Sequence, residues 1–580
     1  MLTVQAAAVK PNWRDSLPSI QSYKTKQPAP PPVQPDCQVL YDQHGDPILL
    51  DPDQQAAVKM ACDPGLTGCV ITGNAGVGKT TTTQAVFLKL LKDANYGLTS
   101  YRVAASKGER WTGPSIACVA ASNKAVRNMR KKVLSHPELQ EALGQGLNIT
   151  TVHNLLEYTR SSTYSEAKEK EVMCFVPTRH AGNPLDITHL IVEEASMVGA
   201  GENTLWSKLW EALPPLVKII FLGDICQIPP IGGKPILSYA LKSLPTVELT
   251  HIHRQALESP IIRQAYACLQ GKPIQADLTP DGKEGVQILT GNLEPGRLLK
   301  VHDMKSMLAR SLPNLIDTGR YSPADDIILC PYNVSDKGQL GTQWLNAVVA
   351  SHLAKLEQKV VHEIKTGYAT LYLALGDKVL VNKTEGIVTA IRRNNAYFGR
   401  PPKQATTSLD YFGHDSAGRT DEDLMAELAD AEYDGLSLEL VLATQTEGKT
   451  DDEQGRAASH NVEVELDDGT SISLGRAGHF SPQNFSLGYA ISIHKAQGSE
   501  WPRVFVICHD SHRTMLYREL LYTAMTRAQH QLILIGQAHV WNRCAKNPRI
   551  KGNSLADKIE FFNGGYLDQD VPLPGQQGQP

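Results

Sequence analysis

The stretch ITGNAGVGKTTT (71–82) constrains what this chain can fold into more than any other. It places Gly73, Gly78, Lys79 and Thr80 at the spacing G-x-x-x-x-G-K-[ST]. An apolar run, GCVITG (68–73), precedes it, and an amphipathic stretch carrying Val86, Phe87, Leu90 and Leu91 follows. That order requires a buried strand ending where a helix begins. The glycines then let backbone N–H groups converge on phosphate oxygens at the helix N-terminus. Lys79 is expected to reach the β- and γ-phosphates of ATP, and the Thr80 hydroxyl to hold Mg²⁺. Asn74, Ala75, Gly76, Val77 and Thr81 complete the expected phosphate loop. A glycine turn without a ligand would leave Lys79 unexplained.

Further apolar runs repeat the pattern: IACVAAS (116–122), HLIVEE (189–194), KIIFLGD (218–224), DIILCP (326–331), RVFVIC (503–508) and QLILIG (531–536). Such runs, alternating with amphipathic segments, predict parallel α/β sheets covered on both faces, with enough strands for two sheets. Residues 385–480 break the rhythm. There NVEVELDDGTSISL (461–474) alternates around Asp467-Asp468-Gly469 and predicts a β-hairpin. The expected organisation is a proline-rich tail over 1–45, a first sheet domain over 46–249, and a second made of 250–375 and 485–550. A β-rich insertion with an acidic surface loop is expected over 376–484, and a tail over 551–580.

Length and composition narrow the class. The 580 residues exceed one ordinary core and suggest three or four domains. No run approaches the roughly 18 apolar residues of a membrane span, and the N-terminus does not read as a secretory signal. The ten cysteines form no CxxC pair, so a reduced, intracellular protein without structural metal is expected, with no membrane partner. The net charge is −4, but residues 401–460 hold 14 Asp/Glu against 4 Lys/Arg, which leaves the rest at +6. A motor needs a basic groove rather than a basic average, so charge neither supports nor excludes a nucleic-acid partner.

A phosphate loop alone also fits kinases, GTPases and transporters. Downstream of it, LIVEEASMV (190–198) ends an apolar run with Glu193 and Glu194. One carboxylate is expected to hold Mg²⁺, and the other, Glu194, to activate the attacking water. FLGDICQIPPIG (221–232) puts Asp224 and Gln227 after another strand, where a polar pair can sense the γ-phosphate. Arg254 in HIHRQ and Arg527 in YTAMTRA are candidate cations that close a cleft on the phosphates.

Together these segments resemble superfamily 1 helicases of the RecD/Dda-like branch, in family order from about residue 50 to 536. The resemblance implies two RecA-like motor domains, a strand-separating hairpin at about 159–184, and an SH3-like β insertion in the second domain. LDPDQQAAV resembles the Q-motif, which implies that Gln54 contacts adenine. VAASNKAV and TVHNLL resemble motifs Ia and Ib, which implies strand contacts by Ser122, Asn123, Lys124, Thr151 and His153. GDICQIPP resembles motif III, HIHRQ motif IV, IHKAQGSE motif V and YTAMTRA motif VI. Motif V implies a strand contact by His494 and nucleotide contacts by Gly498 and Glu500. Short polar groups of this kind hold phosphates and sugars without reading sequence.

What the family implies is an ATP- and Mg²⁺-dependent DNA helicase moving 5′→3′ on single-stranded DNA and opening duplex junctions. Its expected settings are replication, recombination and repair, with proteins of those processes as partners. Two positions depart from the family: Glu193 stands where Asp is usual, and Ala121-Ser122-Asn123 where Pro-Thr-Gly is common. The residues also leave open an RNA helicase, a translocase that does not unwind, and a weakly active scaffold subunit.

Overall fold

The computed structural model describes residues 2–4, 40–41, 47–92, 102–103, 110–111, 115–120, 122–143, 146–165, 170–201, 204–230, 233–252, 258–291, 298–333, 340–366, 370–382, 384–397, 456–467, 469–481, 484–567 and 571–574. Arg254, Ala121, the proline-rich stretch 26–36 and the acidic stretch up to residue 455 lie outside them.

Helix α1 (Pro52–Ala61) opens the first domain. Asp51 caps it by accepting from the Gln54 N–H, while the Gln54 side chain accepts from the Asp51 N–H. The chain continues through β1 (Gly68–Gly73), α2 (Lys79–Lys92), β2 (Ile116–Ala120), α3 (Asn123–Leu134) and β3 (Leu147–Thr151). A hairpin of β4 (Tyr158–Ser165) and β5 (Lys170–Pro177) follows, in register from Tyr158–Pro177 to Ser165–Lys170. Then come β6 (His189–Val192), β7 (Lys218–Gly223) and β8 (Thr246–Leu249). Apart from the hairpin, these strands form one parallel sheet in the order β8-β1-β7-β6-β2-β3. Every residue of β1, β2, β6 and β7 is buried, as their unbroken apolar character requires of strands covered on both faces.

The second sheet starts with β9 (Gly285–Gly291) and β10 (Ile327–Cys330). The chain then leaves it for β11 (Lys378–Val381), β12 (Thr384–Arg393), β13 (Ala457–Leu466), β14 (Ser471–Arg476) and β15 (Phe485–Leu487). These make an antiparallel sheet ordered β14-β13-β12-β11-β15. The expected hairpin around Gly469 joins β13 to β14. The chain returns with β16 (Ala490–Ser492), β17 (Trp501–Ile507), helix α4 (Arg518–Met525) and β18 (Ala528–Ile535). The second sheet runs β9-β18-β17-β10-β16, all parallel. The fold is therefore α/β, with two parallel-sheet domains and a β-rich insertion in the second.

Three boundaries differ from expectation. The β-rich region begins before residue 376, because the hairpin Val361–Lys365/Thr370–Ala374 sends Ile364 and Leu373 into the core of β11–β14. Within the expected N-terminal tail, Leu2–Val4 pairs antiparallel with the edge strand β9. The segment expected as a C-terminal tail packs on the molecule. It forms α5 (Leu555–Phe561), capped by Ser554, and buries Phe562, Val571 and Leu573 in the same core as Trp206 and Phe221. The Trp206 indole N–H donates to Pro572 O at 3.1 Å. Burying one such apolar side chain contributes about 1.5–3 kcal/mol, enough to hold a segment that shows no long periodic run.

Candidate active site

The carboxyl ends of β1, β6 and β7 meet at the loop 73–79. Gly76 and Gly78 take positive φ (85° and 76°), which turns the loop back onto the N-terminus of α2 without a Cβ penalty. The Lys79 ammonium folds over the loop and donates to Gly73 O (2.7 Å) and Asn74 O (3.0 Å). Ala75 and Val77 lie in the same turn, while Thr80 and Thr81 occupy the first turn of α2. Gln54 is fully buried; its amide reaches Gly78 O at 3.4 Å, which ties the Q-motif segment to the loop.

Glu193 and Glu194 follow β6 at the same edge. The Glu193 carboxyl accepts from the Thr83 hydroxyl at 2.7 Å. Burial pushes its pKa up to about 7, assisted by the neighbouring Glu194 charge and opposed by the Thr83 hydrogen bond and by Lys79 and Lys132. Glu194 sits in the left-handed region (φ 50°), an uncommon conformation for a residue with a Cβ. Its Oε2 is buried and has no hydrogen-bond partner among the described residues. A backbone held this way aims the second carboxylate independently of the first.

Motif III and motif VI meet across the two sheets. Asp224 is fully buried, accepting from the Cys226 N–H at 2.9 Å and from the Tyr522 hydroxyl at 2.7 Å. The same Tyr522 oxygen accepts from the Ala75 N–H at 2.8 Å, so one hydroxyl from α4 joins the phosphate loop and motif III. Tyr266 adds a donor to Ala75 O at 3.3 Å. One residue along, Thr523 Oγ1 accepts from the Ile228 N–H (3.0 Å), and Gln497 Nε2 donates to Ile228 O (2.9 Å). Gln227 lies between Asp224 and Ile228, buried, with its Oε1 unbonded among the described residues.

Arg527, just past α4, is also buried. Its guanidinium donates to Thr523 O, Ser499 O and Thr526 Oγ1, and among the described residues no carboxylate pairs with it. The structure thus gathers Lys79, Glu193, Glu194, Asp224 and Gln227 at the carboxyl ends of the first sheet, with Arg527 on the segment whose Tyr522 and Thr523 contact Asp224, the phosphate loop and Ile228; Arg254 lies outside the described residues.

The expected strand contacts sit elsewhere on the same junction. Ser122 caps α3, accepting from the Ala125 N–H, and Asn123 is the exposed first residue of that helix. Thr151 caps the turn that carries exposed His153, whose ring lies 5.4 Å from Tyr158 at the base of the β4–β5 hairpin. His494 is held neutral, its pKa lowered to about 4 by burial and then by Arg549. Gly498 (φ 74°) packs on motif Ia: a Cβ there would meet Ser122 Oγ at 2.8 Å. Glu500 is exposed. Lys124 is turned to the β insertion, with its ammonium 2.8 Å from Glu385 and 4.2 Å from the Trp501 ring centroid.

Sequence reading missed Thr83, Tyr266, Gln497, Tyr522 and Thr523. Tyr522 and Thr523 lie inside a recognised segment, but their partners are about 300 to 450 residues away in the chain.

The chain has likenesses to known proteins. The model described as an AAA domain matches residues 54–233, and the one described as a UvrD-like helicase C-terminal domain matches 487–535. The chain is 28% identical over 494 residues to the ATP-dependent RecD2 DNA helicase of Deinococcus radiodurans, covering 84% of this chain and 50% of that one. It is 25% identical to the RecBCD enzyme subunit RecD of Mycolicibacterium smegmatis, covering 87% and 74%. The chain therefore spans about half the length of the RecD2 relative. Among solved structures it is similar to a Bacteroides Pif1 helicase in complex with ADP-AlF3 and single-stranded DNA, at 15% identity and a TM-score of 0.42, covering 90% and 99%. With its motifs in family order and both sheets contributing to one junction, the chain is similar to the RecD-like branch of the superfamily 1 helicases.

Proposed function

We propose that this protein is an ATP-dependent DNA helicase that moves 5′→3′ along single-stranded DNA and opens duplex ahead of it. The observation that carries the reading is Tyr522. Its hydroxyl ties the phosphate loop of one sheet to Asp224, from a helix that belongs to the other. A nucleotide that displaced Lys79 from the loop carbonyls would disturb this link directly, and so alter how the sheets sit on one another. Hydrolysis becomes movement when such closure depends on the γ-phosphate.

Lys79 and the loop N–H groups would bind the phosphates, Glu194 would orient the attacking water, and Arg527 would stabilise developing charge. Mg²⁺ fits Thr80 and Glu193. Two adjacent carboxylates, one of them buried and forced toward its neutral form, are a pair whose ionised state a cation stabilises. When bound, the ion would neutralise phosphate charge. The polar groups at Ser122, Asn123, Thr151, His153 and His494 would hold the strand backbone, with no sequence preference. The relatives named as RecD subunits of the RecBCD enzyme support a place in a multisubunit complex.

ATP hydrolysis measured with and without oligothymidine tests the reading. Hydrolysis is expected to rise severalfold with DNA and less with RNA. Lys79→Ala should abolish it while leaving strand binding detectable. Equal hydrolysis with and without any nucleic acid would reject a strand-coupled motor.

A further inference from the structure

Pro229, Pro230, Lys234, Tyr239, Arg549 and Tyr566 line a cleft of about 590 Å³ beside the inter-sheet junction. Two of these residues are cations, and neither is neutralised by a carboxylate among the described residues. The Lys234 ammonium lies 4.1 Å from the Tyr566 ring centroid, and the Arg549 guanidinium lies 3.9 Å from that of Tyr517. Lys124, Arg127, Arg263 and Lys378, by comparison, face carboxylates. An aromatic face orients a cation without cancelling its charge. The cleft therefore presents two positioned cationic side chains that form no ion pair among the described residues, against an apolar wall of two prolines.

We infer that Lys234 and Arg549 form a phosphate-binding station for the single strand, built by the chain downstream of motif III and by the C-terminal segment, outside the segments that resemble family motifs. This rests on the strand-binding reading above. Position favours the strand over a free phosphate. The cleft is walled by the prolines of motif III, and Arg549 lies close enough to His494 to depress its ionisation. Four residues after His494, in the same turn-rich stretch as Ser499, Gly498 packs so near Ser122, the cap of the motif Ia helix, that a Cβ there would meet its hydroxyl at 2.8 Å. A strand held at Ser122 and His494 therefore passes toward Arg549, and a phosphodiester needs only charge and room there. The C-terminal segment anchors the station to both sheets: Glu519 of α4 accepts from the Arg549 N–H, while Pro572 accepts from Trp206.

The test is the salt dependence of oligothymidine binding by the full chain, read as fluorescence anisotropy. Each single-strand phosphate contact contributes a slope of about −0.7 in log K against log[salt]. Lys234→Ala and Arg549→Ala should each make the slope shallower by about 0.7 and the pair by about 1.4, while Lys234→Arg and Arg549→Lys restore it. Binding of fluorescent ADP should not change. If the wild-type chain binds oligothymidine and the alanine variants, folded by circular dichroism, keep its full slope, the station is refuted and the strand-binding reading stands. If the substitutions alter only competition by inorganic phosphate or ADP, the site takes free phosphate and the inference fails. If the wild-type chain binds no oligothymidine, both fall together.

Discussion

At the scale of residues, the local geometry of the proposed nucleotide site was legible wherever it is set by neighbours in sequence. Gly78, Lys79 and Thr80 are fixed by a loop that must turn from strand to helix, and Glu193-Glu194 by the end of an apolar run. What could not be read was the state of those groups, because it depends on distant neighbours. Glu193 has a pKa raised from 4.5 to about 7 because it is fully enclosed beside another carboxylate. Between those values the folded chain keeps a proton that the unfolded chain releases, so stability falls as pH rises through that window. Glu193→Gln should remove this fall, which denaturant midpoints at about pH 5 and pH 7 would detect. Metal binding requires the ionised carboxylate, so Mg²⁺-dependent nucleotide affinity is expected to weaken as pH drops below about 7. Pairs of midpoints showing the same slope in wild type and variant would contradict the assignment.

The element scale shows the opposite balance. All the apolar runs read as strands are strands, because a run buried on both faces has one stable use in an α/β protein. The strands β3, β8, β9 and β16 went unread, as did the C-terminal packing. There apolar residues are spaced irregularly and interrupted by Asn553, Asn563, Gly564 and Gly565, so no period emerges. In the proposed motor, helix α4 is the element on which coupling would depend, because its Tyr522 bonds both the phosphate loop and Asp224. Tyr522→Phe removes its bridge and leaves a buried Asp224 oxygen without its donor, at a cost of about 1–3 kcal/mol. DNA stimulation of hydrolysis should fall strongly while ATP affinity holds; measured kcat and KM with saturating oligothymidine would show it. The β4–β5 hairpin is expected to separate strands rather than drive movement. Replacing 159–176 by a short glycine-serine loop should abolish unwinding and spare DNA-stimulated hydrolysis, and unchanged unwinding would assign the hairpin another role.

For the molecule as a whole, two parallel sheets share a junction that carries Tyr522, Thr523 and Gln497 from one side and the phosphate loop and motif III from the other. The β insertion reaches back to the first domain through Lys124–Glu385 and Arg127–Asp467, so three bodies meet near motif Ia. That arrangement was legible as an order of motifs but not as contacts, since each pairing spans hundreds of residues. A machine of this design should convert ATP into directed separation of strands. Unwinding of one labelled duplex, bearing either a 5′ or a 3′ single-stranded tail, tests this directly. Strand release that requires ATP and occurs only from the 5′-tailed substrate is the expected result. Tight binding to both substrates without release from either would contradict the helicase assignment, and release only from the 3′-tailed substrate would contradict its direction.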